Sequence, residues 1–489
     1  MSRGLATPPR VLGVAVLRLA PAAVTVGLSL GLGALIALDQ PASLVAAGAA
    51  GAVATLVATP LLGRASAVLA LAGNLVLLYG FANLGIRAGE VAIPLTEILL
   101  VAALAWAVRG LRGPAGRHAM GWWVAFFGLG LVHLAAAFPA YGLVAVRDFL
   151  LVLESSFLIV GYRLGEKDWP SVVRWIRWVY LACALYFAAY PLREWLAALS
   201  PVVGIQREVP LLGQYAGAGP AAIAGFFFMA LLRPFGRWSL VVAGLFLAEL
   251  AMFQGRGDYV AFLTVAGLLL TLAGRGGRRD RVRLALAGTL LAASFVAALV
   301  LPFAPAGRLG PVSPEFYAEH VATLLGGEGP GAGTIRHRLD WARYTLELVG
   351  GDAYRLLGGV GYGPTLTRGF TVKEGIPVRQ PHNDYLETFA RMGIPGLVSF
   401  VGLLAATFVP VLRAARHAPA DDARFLWWAV AAMVPYLLIA AAQPLLAFPY
   451  GTVPLFTIAG VGLAVVDRLA ATKVTECGRG GHPAKDMPG

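Results

Sequence analysis

The chain has 489 residues, of which 58% are hydrophobic and only 13% are charged. Its mean hydropathy is +0.73. Soluble domains carry about 25% charged residues, so the composition excludes a soluble protein and indicates an integral membrane protein. The formal net charge is +13. It does not indicate a nucleic-acid partner, because the basic residues form short clusters between apolar stretches. In such positions they orient membrane helices and contact the headgroups of membrane lipids.

Apolar stretches long enough to span a membrane, about 20 residues each, fill most of the chain. The sequence therefore predicts an all-α polytopic membrane protein with about 12–14 transmembrane helices. The first stretch is too long for a cleaved signal peptide and is predicted to be a retained span. The candidate spans lie at 11–38, 41–62, 65–85, 91–108, 119–139, 142–162, 172–190, 211–232, 238–254, 257–273, 284–304, 392–412, 425–443 and 452–467.

Lysine and arginine are concentrated in alternate connections between these spans. Arg109, Arg112 and Arg117 share one such connection. The other set of connections carries little beyond single arginines such as Arg193 and Arg256. By the positive-inside rule, both termini lie in the cytoplasm. The same orientation places the one long polar segment outside the cytoplasm.

The order of apolar and polar stretches predicts four parts. Residues 1–304 form a transmembrane bundle of about eleven spans, and residues 384–470 add about three more. Between them, residues 305–383 form a lid loop outside the cytoplasm with amphipathic helices, one of them from about Ile335 to Leu348. An insert of this size is too small for a rich core of its own, so we expect it to lie over the mouth of the bundle. Residues 471–489 are a predicted cytoplasmic, disordered tail.

The strongest candidate for chemistry is the segment that begins Pro381-His382-Asn383-Asp384. Asp384 with Glu387 three residues later has the form of a capping box, which predicts a helix beginning at Asp384. His382 and Asn383 then lie at a helix N-terminus, where free N–H groups favour an anion. The helix dipole also favours a neutral imidazole, the form that accepts a proton. The alternative is that His382 is an ordinary polar loop residue at the membrane interface.

Several arginines are candidates for binding an anion. Arg256 lies in the glycine-flanked turn Gln254–Tyr259, where the backbone can approach a ligand and the guanidinium can bind phosphate oxygens in bidentate fashion. Arg338 and Trp341 share a face of the predicted lid helix, which also carries Arg336. Arg147 lies within a predicted span, where charges usually mark a site. Each has an alternative explanation. Arg256 can belong to an interfacial hairpin from which its side chain extends to the headgroups, and the lid helix can simply lie on lipid headgroups. Arg147 can form a structural ion pair with Asp148 or Glu249.

Motifs for metal or nucleotide chemistry are absent from the sequence. It contains no HExxH, no Cys/His ligand spacing and no Walker motif, so neither a metal nor another cofactor is predicted. Its two cysteines, Cys183 and Cys477, do not share a polar segment, so no structural disulfide is expected. Arginines and one histidine beneath a lid suit a substrate that contains a membrane-bound diphosphate.

The chain resembles the O-antigen ligase and O-antigen polymerase family of bacterial polytopic membrane proteins. His382-Asn383, nine further residues and Gly393-Ile394-Pro395-Gly396 match the family's H-[NSQ]-x9-G-x-x-[GTY] pattern. Arg256-Gly257 resembles its arginine at an outer turn. Arg338-Leu339-Asp340-Trp341, followed by Gly359-Val360-Gly361-Tyr362-Gly363, resembles its R-x-x-W and G-V-G-x-G sequence. The resemblance covers about residues 245–410. Val260 departs from it, since leucine is frequent there, and about twelve spans are usual.

The resemblance implies a metal-independent glycosyltransferase of the GT-C type in a bacterial inner membrane, with the lid loop 305–383 and the active site on the periplasmic face. Its donor is a glycan linked to undecaprenyl diphosphate, and its acceptor is lipid A–core or a growing glycan. His382 is the implied general base, or it holds the donor's anomeric region, and Arg256 and Arg338 bind the diphosphate and stabilise its leaving charge. Arg147 is a further candidate contact for the diphosphate. Candidate substrate-binding residues around them are Asn383, Tyr385, Arg336 and Trp341.

The sequence leaves alternatives open. The ligase and the polymerase share the motif, and transfer of glycan to protein is a third variant of the same chemistry. A transporter or flippase of an anionic or lipid-linked substrate is the competing class; such proteins favour internal repeats and sites at the membrane midplane, and neither is visible here. A non-catalytic scaffold would not need His382 beneath a lid. The sequence does not determine the oligomeric state.

Overall fold

A computed structural model of the chain describes residues 59–88, 91–107, 113–167, 169–204, 208–272, 306–322, 332–367, 370 and 378–479. The predicted spans at 11–38 and 284–304, and nearly all of the one at 41–62, lie outside these residues. The first described part begins with helices α1 (Thr59–Val76) and α2 (Tyr79–Ala82). A hairpin of strands β1 (Gly85–Ala88) and β2 (Val91–Pro94) follows, paired antiparallel with Gly85 opposite Pro94, and then helix α3 (Leu95–Ala107).

Helix α4 (Pro114–Tyr141) is a long span, and the residues after it form three short helices. These are α5 (Leu143–Asp148), α6 (Leu150–Glu154) and α7 (Phe157–Lys167). The sequence predicted one span at 142–162. The chain bends there at Gly142, which has φ 53°, and again at Phe149 and Ser155, which cap the short helices. The bends leave Asp148 at the end of α5, where it pairs with arginines from the distant lid segment and from a later helix.

The next part of the chain, residues 169–272, contributes side chains to the wall of a cavity. Helix α8 (Trp169–Ala188) turns by 55° through a short 3-10 helix (Tyr190–Leu192) into α9 (Arg193–Leu199). A small hairpin of strands β3 (Val202–Val203) and β4 (Val209–Pro210) leads to helices α10 (Ala218–Leu232), α11 (Trp238–Phe253) and α12 (Arg256–Leu272).

The polar segment contains helices α13 (Pro314–Ala322), α14 (Ala332–Gly350) and α15 (Ala353–Gly358). Helix α14 is the predicted amphipathic lid helix, somewhat longer at both ends. Three long helices complete the fold: α16 (Asp384–Ala415), α17 (Ala420–Ala440) and α18 (Pro449–Arg479). Residues 471–479, predicted to belong to a disordered tail, continue the last helix, in which no proline or glycine lies between Gly462 and Gly478.

The core lies where α18 packs against α7 and where α17 packs against α10, α12 and α16. Small residues allow the first of these contacts: a Cβ on Gly161 would lie 2.1 Å from the carbonyl oxygen of Thr457, and one on Gly460 would lie 2.2 Å from that of Leu158. Such close backbone approach is typical of helix pairs in membranes. Helices α17 and α18 are largely buried inside the protein, whereas α4 lies at its periphery.

Four of the described helices are long and apolar enough to cross a membrane: α4, α16, α17 and residues 449–472 of α18. The bent pair α8–α9 makes a fifth if it is counted as one span, and shorter apolar helices lie at Leu62–Val76, α3, α10 and α11. The prediction of an all-α polytopic membrane protein is confirmed. The predicted number of spans stays a prediction, because several lie outside the described residues.

Candidate functional site

His382 adopts a backbone conformation that side chains rarely take. Its φ is +56°, in the left-handed region, where a residue other than glycine costs about 1–3 kcal/mol unless its surroundings hold it in place. The residue stands between the buried Pro381 and Asn383, which begins helix α16. Contacts around His382 must therefore hold the residue in this conformation.

Two contacts orient the imidazole. Its Nδ1 lies 3.1 Å from the carbonyl oxygen of Gln380, and because a carbonyl only accepts, Nδ1 must carry the proton. This leaves Nε2 as the unprotonated nitrogen, which is what a general base requires. The ring also packs on Trp341 of α14, with centroids 4.8 Å apart and an interplanar angle of 37°. Phe370 supports Trp341 from another side, at 5.2 Å.

Electrostatics favours the neutral imidazole. Burial lowers the pKa of His382, the hydrogen bond to Gln380 partly offsets this, and the charge of Arg338 lowers the pKa again. A lowered pKa means that the ring is unprotonated, and so competent as a base, at neutral pH.

The helix after His382 begins where the sequence predicted, but its cap is a different residue. Asn383 is extended, and its Oδ1 accepts a hydrogen bond of 2.9 Å from the backbone N–H of Leu386, so Asn383 is the N-cap. Asp384, predicted to open a capping box, is instead the first helical residue. Its carboxylate is buried and accepts a hydrogen bond of 2.7 Å from the N–H of Leu446, which ties α16 to the segment before α18.

Beneath this N-terminus, helix α16 is interrupted at Gly393, which has φ 65° and ψ −164°. The break frees the carbonyls of Ala390 and Arg391, which accept hydrogen bonds from Val360 at 2.7 Å and Gly361 at 3.1 Å. The glycine run of the lid therefore lies directly on the broken helix. A Cβ on Gly359 would lie 2.4 Å from the carbonyl group of Arg391, so only glycine fits there.

An ion-pair network fastens the same region to helix α5. The buried carboxylate of Asp148 accepts a hydrogen bond of 2.8 Å from the N–H of Gly363. It lies 3.0 Å from Nη2 of Arg391, close in distance but without hydrogen-bond alignment, and 3.5 Å from Nη2 of Arg379. The network joins the lid segment, α5 and α16 around the base of the candidate site. It also shows that Asp148 pairs with residues far along the chain.

The candidate site itself is a cavity of about 420 Å³. His382 and Arg338 line it together with residues from the ends of several helices, so the fold brings these two predicted residues to one place. The other lining residues are Tyr190, Arg193, Gly213, Tyr215, Ala216, Gly217, Ala218, Gly219, Pro220, Phe253, Asp258, Arg308, Ile439, Gln443, Pro444, Leu445 and Tyr450.

The charges around this cavity are mostly positive. Three arginines line it, Arg193, Arg308 and Arg338, against one carboxylate, Asp258. Arg256 is the first residue of α12, half-buried and two positions before Asp258. Burial lowers the pKa of Arg338, and the nearby charges of Arg308 and Arg256 lower it further. Mutually repelling cations gathered at one cavity favour the binding of an anion.

The remaining predicted site residues lie in different places. Trp341 supports His382, and Asn383 is used as a helix cap. Tyr385 donates its hydroxyl to the carbonyl oxygen of Leu437 at 3.0 Å, a bond between helices. Arg336 is exposed on α14. Arg147 lines a separate cavity of about 120 Å³ with Asn83, Glu97 and Gln380, so its contact with a diphosphate stays a prediction.

Sequence reasoning missed several residues of the cavity, above all Arg308, Tyr190 and Tyr215. Arg193 and Asp258 also line the cavity, and Asp258 lies in the turn Gln254–Tyr259 in which the sequence placed Arg256. Arg308 lay in the predicted lid without a motif of its own. Among the residues that the structure describes, no three His, Cys, Asp or Glu side chains are grouped so that they could hold a metal ion.

Comparison with protein families identifies part of the chain. Residues 241–401 match the family described as O-Antigen ligase. The matched segment includes Arg256, Arg308, Arg338 and His382, and it ends within helix α16. The resemblance to the O-antigen ligase and polymerase family is thereby confirmed over this segment. No curated protein shows significant sequence similarity to the chain.

Proposed function

We propose that this chain, which carries an O-antigen ligase domain, transfers a glycan from undecaprenyl diphosphate to a hydroxyl of lipid A–core. The observation that carries the proposal is the arrangement of His382. Its Nδ1–H is committed to the carbonyl of Gln380, and the ring lines a cavity that it shares with Arg338 and further arginines.

In the proposed reaction, Nε2 of His382 takes the proton of the acceptor hydroxyl as the oxygen attacks the anomeric carbon. The bond between that carbon and the diphosphate oxygen breaks, and its electron pair leaves with the diphosphate. The products are the new glycoside, undecaprenyl diphosphate and a protonated His382. Arg256 and Arg338 are proposed to bind the diphosphate, because fixed cations stabilise the charge that develops on a leaving group.

The proposed setting follows from the orientation predicted by the positive-inside rule. With both termini in the cytoplasm, the cavity lies on the periplasmic face of the bacterial inner membrane. No ATP or nucleotide sugar is present there, so the diphosphate linkage of the donor supplies the energy for transfer. We propose no cofactor for this reaction.

The test uses the full chain in nanodiscs with an undecaprenyl-diphosphate oligosaccharide, with and without lipid A–core. We expect acceptor-dependent transfer with release of undecaprenyl diphosphate. The variants His382→Ala and Arg338→Ala should each lower the rate by about 100-fold or more. The matched control is Arg343→Ala, since Arg343 is exposed on the same lid helix and forms an ion pair with Glu347 at the surface.

Other results would change the assignment. Lengthening of the lipid-linked glycan without lipid A–core would identify a polymerase of the same family. Normal transfer after His382→Ala would refute the proposed base. Movement of the lipid-linked glycan across the membrane without any transfer would identify a flippase or transporter and overturn the proposal.

A further inference from the structure

The side chain of Gln254 and a backbone hydrogen bond hold the loop before helix α13 against the junction between α11 and α12. Nε2 of Gln254 donates to the carbonyl oxygen of Gly310 at 2.9 Å, and its Oε1 accepts from the N–H groups of Leu309 at 2.7 Å and Gly310 at 3.2 Å. All three bonds cross more than 50 residues of sequence. Gln254 therefore joins two segments that are far apart in the sequence.

The geometry around this contact is tightly constrained. Gln254 is 1% exposed and has the left-handed backbone angles φ 53° and ψ 33°, which are costly for a residue other than glycine. A Cβ on Gly307 would lie 2.3 Å from Nε2 of Gln254, so the loop passes directly over the amide. The loop closes on itself with a 2.9 Å bond from Gly307 N–H to the carbonyl of Gly310.

The residue held at the centre of this loop is Arg308. Its backbone N–H donates to the carbonyl oxygen of Met252 at 2.9 Å, at the end of α11. Its side chain reaches the cavity that His382 and Arg338 line. The charge of Arg308 acts on the buried Asp258 and on Arg338, which line the same cavity. A fixed cation that faces a cavity is available to a ligand.

The change in charge on the lipid diphosphate during the proposed reaction gives this cation a role. A glycan linked to a lipid through a diphosphate carries two negative charges at neutral pH. After the glycosidic bond breaks, the departing lipid diphosphate carries a third. The proposed function assigns two arginines, Arg256 and Arg338, to this group. Arg308, which lines the cavity together with Arg338, would match the charge that appears only as the bond breaks, which is the type of interaction that accelerates a reaction.

We propose that Arg308 is a third diphosphate-binding residue, which stabilises the charge that develops on the leaving group, and that Gln254 is the positioning residue that holds it at the cavity. This inference rests on the proposed function. The step adds no reactant: the electron pair of the broken bond stays with the diphosphate oxygen, and Arg308 donates hydrogen bonds to it.

The first measurement compares transfer kinetics of the wild-type chain with Arg308→Ala and Arg308→Lys in nanodiscs. We expect Arg308→Ala to lower kcat about 100-fold while KM for the donor changes less than about threefold, because the interaction strengthens as the bond breaks. Arg308→Lys should recover part of the rate, since it keeps the charge but loses the bidentate geometry. Arg343→Ala serves as the exposed control.

Product binding provides a readout that does not require turnover. Arg308→Ala should weaken binding of undecaprenyl diphosphate about tenfold or more and binding of undecaprenyl monophosphate less than about threefold, because the monophosphate lacks the second phosphoryl group. Equal weakening of both lipids would show a general structural defect and overturn the inference.

A double-mutant cycle tests the role of Gln254. Gln254→Ala should lower kcat about tenfold, and adding it to Arg308→Ala should cause little further loss, because both changes act through the same guanidinium. Additive losses would refute the positioning role. Normal transfer by Arg308→Ala would overturn the inference and leave the proposed function intact, whereas no transfer by the wild-type chain would overturn both.

Discussion

The ion-pair network around Asp148 allows a quantitative test of what holds the site together. The carboxylate of Asp148 and the guanidinium of Arg391 are both 2% exposed and lie 3.0 Å apart. Removing one partner of a buried pair costs about 3–5 kcal/mol, because the remaining charge loses its counterion. In Asp148→Asn, Glu387 still lies 3.6 Å from Arg391 and the amide oxygen can still accept from Gly363. We therefore expect the lower end, a loss of about 3 kcal/mol.

The leucine variant should be worse than the asparagine variant. Asp148→Leu also leaves the N–H of Gly363 without its acceptor, which adds about 1–3 kcal/mol. The assay is chemical unfolding in detergent micelles followed by tryptophan fluorescence, which yields the free energy of unfolding. Glu347→Gln is the control, because its pair with Arg343 is exposed and should contribute less than about 1 kcal/mol. Stability of Asp148→Asn within about 0.5 kcal/mol of the wild type would refute the reasoning.

Three further predictions concern His382 and its supports. Because the pKa of His382 is lowered, the acid limb of the pH–rate profile should lie below pH 6.5. The free energy of unfolding should also fall as the pH drops below 6.5, since the unfolded chain then binds a proton that the folded chain does not. Arg338→Met removes a cation and should move the acid limb to higher pH, and an unmoved limb would exclude coupling between Arg338 and His382. Trp341→Leu should slow transfer about tenfold by releasing the imidazole, whereas Trp341→Phe should keep most of the rate; equal rates in both would show that the ring is unimportant. Asn383→Ala should lower the free energy of unfolding by about 1 kcal/mol, and Asn383→Ser should restore most of it in the same unfolding assay. An alanine variant as stable as the wild type would show that the cap does not contribute.

Local features of the fold could be predicted from the sequence, because they depend on neighbouring residues. The start of α16 at Asp384 and the amphipathic lid helix followed from capping and spacing signals within a few residues. The segmentation of 142–162 could not be predicted in this way. Its apolar content resembles a single span, and the partners of Asp148 in the broken segment, Arg391 and Arg379, lie more than 200 residues later.

The same distinction separates the predicted from the unpredicted parts of the site. His382 and Arg338 stand in recognisable motifs, and both line the cavity. The cap was assigned to Asp384 rather than Asn383, because the carboxylate's true partner, Leu446, is 62 residues away. Arg308 had no local signal at all. Its place depends on three hydrogen bonds of Gln254 and on its own backbone bond to Met252, and no spacing rule relates these residues to the lid.

The cavity also indicates where specificity for the glycan should lie. Most of its charged residues come from the segment that matches the O-antigen ligase family, whereas Tyr190 and Tyr215 come from outside it. Their rings lie 5.0 Å apart and both pack against Phe253, which forms an aromatic wall suited to the apolar face of a sugar. We expect Tyr215→Ala to raise KM for the glycan donor about tenfold and to leave the binding of undecaprenyl diphosphate, which lacks the sugar, unchanged. Equal weakening of both ligands in a binding assay would show that the aromatic wall contacts the lipid diphosphate instead, and glycan choice would then have to reside elsewhere in the chain.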